Sequence, residues 1–269
     1  DGQRRDFFHT VPVHEREAEP FLIARRETTF GEWLTYLDAV DEAERAARTP
    51  RVGAGGFQGA LGLERRSSGR WAITFQPAKE RYEAESGETI RFPGRDRRAE
   101  QDWLRFPVAG VTAADAEAYA RWLDATGRVP GARLCSELEW ERAARGADGR
   151  EFPHGDTLGR DEANFDDTYG KDPAAIGPDE VGSHPVSRSP FGVDDLAGNA
   201  WEWTRSVLED GHVARGGSYY YGRNTSRTTE RAVTEPSFRD ASVGVRICAD
   251  APRSPRGRET GARADRRLQ

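Results

Sequence analysis

Between residues 147 and 250 the sequence shows no long stretch of helical periodicity. Gly, Pro, Asp and Asn are dense there, and apolar residues come in short islands. That pattern predicts turns and short strands. Ordering so much irregular backbone costs conformational entropy, so buried tryptophans or bound ions are needed to hold it. The chain supplies the bulk, with 7 Trp, 7 Tyr and 12 Phe in 269 residues. Hydrophobic residues make up only 36% and charged residues 32%, so the core must rely on these large rings.

Regular structure is expected mainly upstream. Residues 1–28 read as extended, with Phe7, Val11 and Val13 partly alternating and Phe21-Leu-Ile23 a short apolar run. Thr29-Phe-Gly-Glu32 forms a capping box. It predicts one helix carrying Phe30, Trp33, Leu34, Leu37 and Val40 and fading before Pro50. Leu61, Leu63, Trp71, Ile73 and Phe75 alternate around Ser67-Ser-Gly69, a hairpin pattern, whereas 76–101 reads as charged loop. Thr112-Ala-Ala-Asp115 opens a helix with Ala116, Tyr119, Ala120 and Leu123 on one face, ending near Gly127. Ser136-Glu-Leu-Glu139 opens another with Leu138, Trp140, Ala143 and Ala144, stopped at Gly146. The sum is an α+β domain over 1–250, followed by a disordered basic tail over 251–269.

Charge and composition exclude several classes. The net charge of −6 with both signs interspersed argues against a nucleic-acid or anionic-membrane surface. No apolar run approaches a membrane span. The two cysteines, Cys135 and Cys248, are too few for a disulfide-built secreted domain. Two buried thiols in a reducing, cytoplasmic setting are expected, with a pairing of the two as the alternative. The sequence has no Met and opens on Asp1, which suggests a piece of a longer protein.

Four ordered blocks carry a resemblance. Phe106-Pro-Val-Ala-Gly-Val-Thr112 leads into Ala118-Tyr-Ala-Arg-Trp-Leu123. Arg133-Leu-Cys-Ser-Glu-Leu-Glu-Trp-Glu-Arg-Ala-Ala-Arg-Gly146 is followed by Phe152-Pro-His-Gly-Asp156. Pro190-Phe-Gly-Val-Asp-Asp-Leu-Ala-Gly-Asn-Ala-Trp-Glu-Trp-Thr204 is the third. Arg215-Gly-Gly-Ser218, closed by Val243-Gly-Val-Arg246, is the fourth. Together they resemble the formylglycine-generating (sulfatase-modifying factor) family. The resemblance implies that family's variant of the C-type lectin fold, with low regular secondary structure. It marks 50–101 as an insertion and the usual opening block as missing. His154 stands where Trp is usual, Cys135 where Pro is, and Val245 where Phe is.

The family's chemistry is what departs most. Members that make formylglycine bind copper(I) through two thiolates just after the Gly-Gly-Ser, as soft copper(I) requires. An ungapped alignment puts Tyr221 and Ser226 there, and no cysteine lies between Cys135 and Cys248, so no copper is expected. Related sulfoxide synthases use iron and three histidines. Here His9, His14, His154, His184 and His212 are scattered, which reads as ordinary surface or packing histidines. A phosphate loop and a Gly-x-Ser-x-Gly elbow are both absent.

What the resemblance leaves is calcium and a loop. By position, Asp195 and Glu202 would give carboxylate oxygens, and Gly198 and Ala200 carbonyl oxygens, to one calcium, a donor set that calcium favours. The alternative is a hydrogen-bonded turn without an ion. A second site would use Asn164, the carbonyl of Phe165 and Asp172. The segment 219–231 offers Tyr219, Tyr220, Tyr221, Arg223, Asn224, Ser226 and Arg227 after Ser218, a palette suited to recognition of a protein or small-molecule ligand. The alternative is tyrosines packed on nearby tryptophans.

The expected function is therefore a non-catalytic, calcium-bound sensor or docking module. The Phe21–Phe30 start, the insertion and the Ser189–Asn199 run resemble versions fused to bacterial serine/threonine kinases, so a kinase domain in the same polypeptide is an expected partner. The rival readings are a metal-dependent oxidase or oxygenase with a non-cysteine site, and a lectin-fold protein diversified by a retroelement within 219–231.

Overall fold

A computed structural model describes residues 15–53, 60–209 and 211–252. Phe7, Val11, Val13, His9, His14 and nearly all of the predicted tail lie outside those residues.

The elements run β1 (Phe21–Ile23), α1 (Phe30–Ala39), α2 (Glu42–Arg48), β2 (Arg51–Val52), β3 (Ala60–Arg65), β4 (Trp71–Gln76), β5 (Tyr82–Glu85), β6 (Thr89–Arg91) and β7 (Glu100–Asp102). Then come α3 (Ala113–Ala125), β8 (Ala132–Leu134), α4 (Glu137–Arg145), β9 (Trp201–Leu208), β10 (Gly211–Arg215), β11 (Arg231–Thr234), β12 (Val243–Val245) and β13 (Ile247–Asp250). The class is α+β. Between α4 and β9 the described chain has no α-helix or β-strand, the irregular region that the composition foretold.

All three predicted capping boxes form, at Thr29, Thr112 and Ser136, each cap worth about 1 kcal/mol. Gly146, at φ 74°, ends α4, a left-handed turn that glycine enters without steric cost. The single helix expected from Phe30 toward Pro50 is instead two. Asp41 accepts from the Glu44 backbone N–H and caps a new helix one residue after Val40 ends the first. A local Asx cap here outcompetes helix continuation. Of the apolar residues expected in α4, Trp140, Ala143 and Ala144 are buried, whereas Leu138 is 41% exposed. The expected charged loop over 76–101 contains β5, β6 and the start of β7, because β4 gives β5 a backbone partner and β6 and β7 pair with each other, which residue type alone does not reveal.

Among the described residues four sheets form: β1-β13-β8, β11-β10-β9-β12, β2-β3-β4-β5 and β6-β7. Among the described strands every pairing is antiparallel except β12 on β9. Residues 50–101, expected to be an insertion, share the main core. Leu61, Trp71, Ile73, Phe75, Ile90 and Phe92 pack in one buried cluster with Phe30, Trp33, Trp103, Tyr119, Trp201 and Trp203. Trp203 donates to the Val111 carbonyl, Trp103 to the Glu85 carbonyl and Trp33 to the Arg48 carbonyl. Each ring therefore fixes a loop as well as filling volume.

The expectation of two separate thiols is corrected. Cys135, just past β8, and Cys248, within β13, form a disulfide. Strand pairing explains it: Cys248 sits opposite Arg133, which carries Cys135 to the same edge. No free cysteine remains.

Candidate functional site

The loop leading into β9 is tight. Asp195 and Asn199 adopt positive φ of 59° and 62°. Gly198 has φ 78°, and a Cβ there would lie 2.2 Å from the Asn164 carbonyl oxygen, so only glycine fits. The Asn199 amide donates to that same carbonyl at 2.7 Å. Loops 164–182 and 194–200 are thereby laid against each other.

This loop gathers buried carboxylates. Both Glu202 oxygens accept from Arg246, at 2.6 to 3.0 Å, and Glu202 Oε2 also accepts from Trp140 Nε1 at 2.6 Å. Asp195 Oδ2 accepts from the Gly182 backbone N–H. Glu27, which follows β1, accepts from the Ala200 amide and from Asn199 Nδ2. Burial pushes the Glu27 carboxyl well above its usual range, and the neighbouring Asp195 and Glu202 charges push it further. Burial likewise raises Asp195 to about 6 against the pull of Gly182 N–H, Arg246 and His184. Three buried carboxylates thus share the one buried guanidinium of Arg246. Glu27, Asp195, Glu202 and Arg246 are each at most 2% exposed.

The predicted first calcium set lies in this loop and the start of β9, where both Glu202 oxygens already accept from Arg246, Oε2 also from Trp140, and Asp195 Oδ2 accepts from Gly182. The donors are hard oxygens, and buried negative charge exceeds buried positive charge. Among the described residues no three His, Cys, Asp or Glu side chains are grouped to chelate a metal. An ion here would depend on the backbone oxygens of Gly198 and Ala200 as well as on Asp195 and Glu202.

The predicted second set does not fit. Asp172 is exposed, and its Oδ1 accepts from the Ala174 amide. The Phe165 carbonyl accepts from the Thr168 amide. Asn164 points its Nδ2 at the Gly177 carbonyl and Asn199 Oδ1. What converges beside Asn164 is a guanidinium: Arg95 donates to the carbonyls of Ala175 and Gly177 and to Asp179 Oδ1, each at 2.8 Å. Asp179 also takes His184 Nε2 at 2.7 Å, Tyr169 OH and Gln101 Nε2. Burial raises the Asp179 carboxyl, but His184, Arg95 and Tyr169 outweigh it and hold it at about 2.

The 218–231 segment divides by depth. Ser218 and Tyr219 are buried, with Tyr219 OH donating to the Ala241 carbonyl. Ser226 is buried and its hydroxyl has no partner. Tyr221 stands edge-on to Trp201 at 6.1 Å, and Tyr220 stands edge-on to Tyr221. Arg223 is exposed, its guanidinium 5.8 Å over Phe165. Asn224 and Arg227 are half-buried, and Arg227 lies 3.3 Å from Glu151. Of the predicted recognition residues Arg223 is exposed, while Tyr220, Tyr221, Asn224 and Arg227 are half-buried, the two tyrosines packed on the main core. His154 and His184 take separate partners, Glu162 and Asp179.

Sequence reading missed Glu27, Arg95, Asp179 and His184 as members of these clusters. Arg246 was visible only as the end of a motif. Nothing in the local sequence marks Arg95, whose partners lie 80 and more positions away.

Helices and short sheets packed around long loops, with those loops pinned by buried charge, define the class, and comparison supplies the family. The chain belongs to the sulfatase-modifying factor enzyme 1-like (formylglycine-generating enzyme) family, whose model matches residues 2–251. It is similar to the inactive Cα-formylglycine-generating enzyme 2 of Bos taurus, 31% identical over 91% of this chain and 77% of that protein. It is also similar to hercynine oxygenase of Mycobacterium tuberculosis, 30% identical over 85% of this chain. The chain spans half the length of that oxygenase. Serine/threonine-protein kinase Pkn1 of Chlamydia trachomatis is 30% identical over 63% of this chain, and the match covers 27% of the kinase. Among solved structures, PvdO from Pseudomonas aeruginosa shares the fold, with a TM-score of 0.62 at 23% identity, covering 90% of this chain and 85% of PvdO.

Proposed function

We propose that this chain is a non-catalytic binding module of the family, of the C-type-lectin-like variant, that docks a protein or small-molecule ligand. One observation carries the reading. Tyr221 and Ser226 stand where the ungapped alignment places the copper-binding thiolates, and the chain's two cysteines are joined to each other. A thiolate is the ligand and nucleophile in that chemistry, and none is left to serve. Calcium held by Asp195, Glu202 and the carbonyls of Gly198 and Ala200 would supply charge compensation and fix the loop. Exposed Arg223 with the half-buried Tyr220, Tyr221, Asn224 and Arg227 is the recognition surface, since loops on a rigid scaffold are where binding tends to reside. The likeness to Pkn1 supports a kinase domain in the same polypeptide as a partner.

A second reading, an oxygenase, draws on the likeness to hercynine oxygenase. Oxygen uptake separates the two. The protein is given copper(I) with a cysteine peptide of the sulfatase type, and separately iron(II) with hercynine and a thiol. The module reading expects uptake no faster than buffer in both; turnover in either overturns it.

A further inference from the structure

The guanidinium of Arg95 occupies a built site. Its side chain is wholly buried. Four carbonyls face it, those of Ala175 and Gly177 at 2.8 Å, of Pro178 at 3.4 Å and of Arg98 at 3.5 Å, together with Asp179 Oδ1 at 2.8 Å. Phe92 and Tyr169 cover it, with ring centroids 3.6 and 4.1 Å from the guanidinium carbon. Two glycines make the approach possible. A Cβ on Gly177 would lie 2.4 Å from the Phe92 ring, and one on Gly94 would lie 2.6 Å from Asp172 Oδ2 and 3.0 Å from the backbone of Ala174.

Carbonyl oxygens and a carboxylate converging on a single positive charge form the donor set of a hard cation. The guanidinium adds a planar fork that pairs with several acceptors at once. The carboxylate expected to hold a second calcium, Asp172, is turned outward. Yet the same loop, 164–179, still wraps its oxygens around a cation.

We propose that Arg95 is a built-in cation: the 50–101 segment delivers its guanidinium into an oxygen-lined site that would otherwise need a metal ion, and removing it opens a binding site for a small cation. The site takes guanidinium or calcium when Arg95 is shortened, and neither while Arg95 is present. The segment therefore has a task beyond enlarging the core. It closes loops 164–182 and 194–200 without dependence on external calcium, through Asn164 and Asn199, which touch Gly177 and Asp179.

The test uses the full chain carrying Arg95→Ala, and Arg95→Gln as a second variant that keeps the stem between the two rings. Thermal melting is followed against guanidinium chloride in the low millimolar range and, separately, against CaCl2. Occupancy of a native-state site raises the melting temperature by mass action, here by roughly 3–6 °C for a chain of this size. Wild type should show no rise with guanidinium. Any calcium response of wild type reports the Asp195 site alone, so only the excess in the variants bears on Arg95. If a variant refolds only when guanidinium or calcium is present, that also supports the proposal. Variants that gain nothing over wild type from either cation, or that fail to fold even with both, overturn it.

Discussion

Two buried clusters meet at Asn199. Its Oδ1 accepts from Asn164 Nδ2 and from the Asp179 amide, and its Nδ2 donates to Glu27. On one side, Glu27, Asp195 and Glu202 share Arg246, and burial drives two of the carboxyls upward. On the other side, Asp179 is surrounded by Arg95, His184, Tyr169 and Gln101 and held at about 2. Both pin irregular loops against strands, through Glu202 in β9 and Gln101 in β7. The difference is the source of positive charge. The Asp179 side carries its own cation, whereas the Asp195 side is left with excess carboxylate. A buried charge is costly unless paired, so the two clusters should respond oppositely to added cations, to protons and to side-chain deletion.

The largest effect should come from unpairing the Asp179 side. Asp179→Ala leaves Arg95 buried without its carboxylate, and loss of one partner in a buried pair costs about 3–5 kcal/mol. Urea unfolding should show this. A cost below about 1 kcal/mol would mean the pair is no better than a surface ion pair. Next in size is the disulfide, which closes a separation of 113 residues. Cys135→Ser with Cys248→Ser should lower stability by about 2–4 kcal/mol while leaving any calcium response unchanged, because neither cysteine is among the proposed calcium donors, although Cys135 packs against the Arg246 carbonyl and Trp140. A lost calcium response would tie the two together and blur the contrast.

Proton linkage gives a finer comparison. Asp179 is depressed, so its stabilisation is complete above its ordinary pKa of 3.8 and is lost as pH falls toward about 2. Glu230 is the opposite case. It is buried, its Oε2 has no partner, and burial raises it to about 7 against Arg227, Arg215 and Arg231. Its contribution is complete below 4.5 and is lost as pH rises through 7. Glu230→Gln should therefore flatten the stability profile between those values in chemical denaturation at stepped pH; an unchanged slope would count against it. The smallest effect is expected at Glu27→Gln. Both Glu27 oxygens accept, from the Ala200 amide and from Asn199 Nδ2, and an amide can serve only one of these donors, so the substitution should cost about 1–3 kcal/mol, less than Asp179→Ala.

The scaffold was legible because its signals are local. Capping boxes at Thr29, Thr112 and Ser136 fix helix starts within four residues, and alternation around Ser67-Ser-Gly69 fixes the hairpin. The tight loop was legible too, since Gly198 and Asn199 are residue types that accept positive φ. Depth and pairing were not. Ser218, Tyr219 and Ser226 are as polar or amphipathic as Tyr221 and Arg223, yet they lie inside, with Tyr219 reaching the Ala241 carbonyl and Ser226 set close against Gly217. Arg95 reads as one arginine in a charged run until Gly94 and Gly177 bring its loop against Asp179. The two cysteines looked like separate thiols because only the β13–β8 pairing brings them to one edge. Contacts made by residues 80 to 170 positions apart leave no periodicity to read.

Metal content at saturating calcium tests the account most directly. The wild-type chain is equilibrated with calcium, freed of excess and analysed for calcium, copper and iron against protein concentration. The account predicts a single calcium per chain, at the Asp195 loop, with the position beside Asp179 already filled by Arg95, and neither transition metal. A second calcium, no calcium at all, or stoichiometric iron or copper would contradict it.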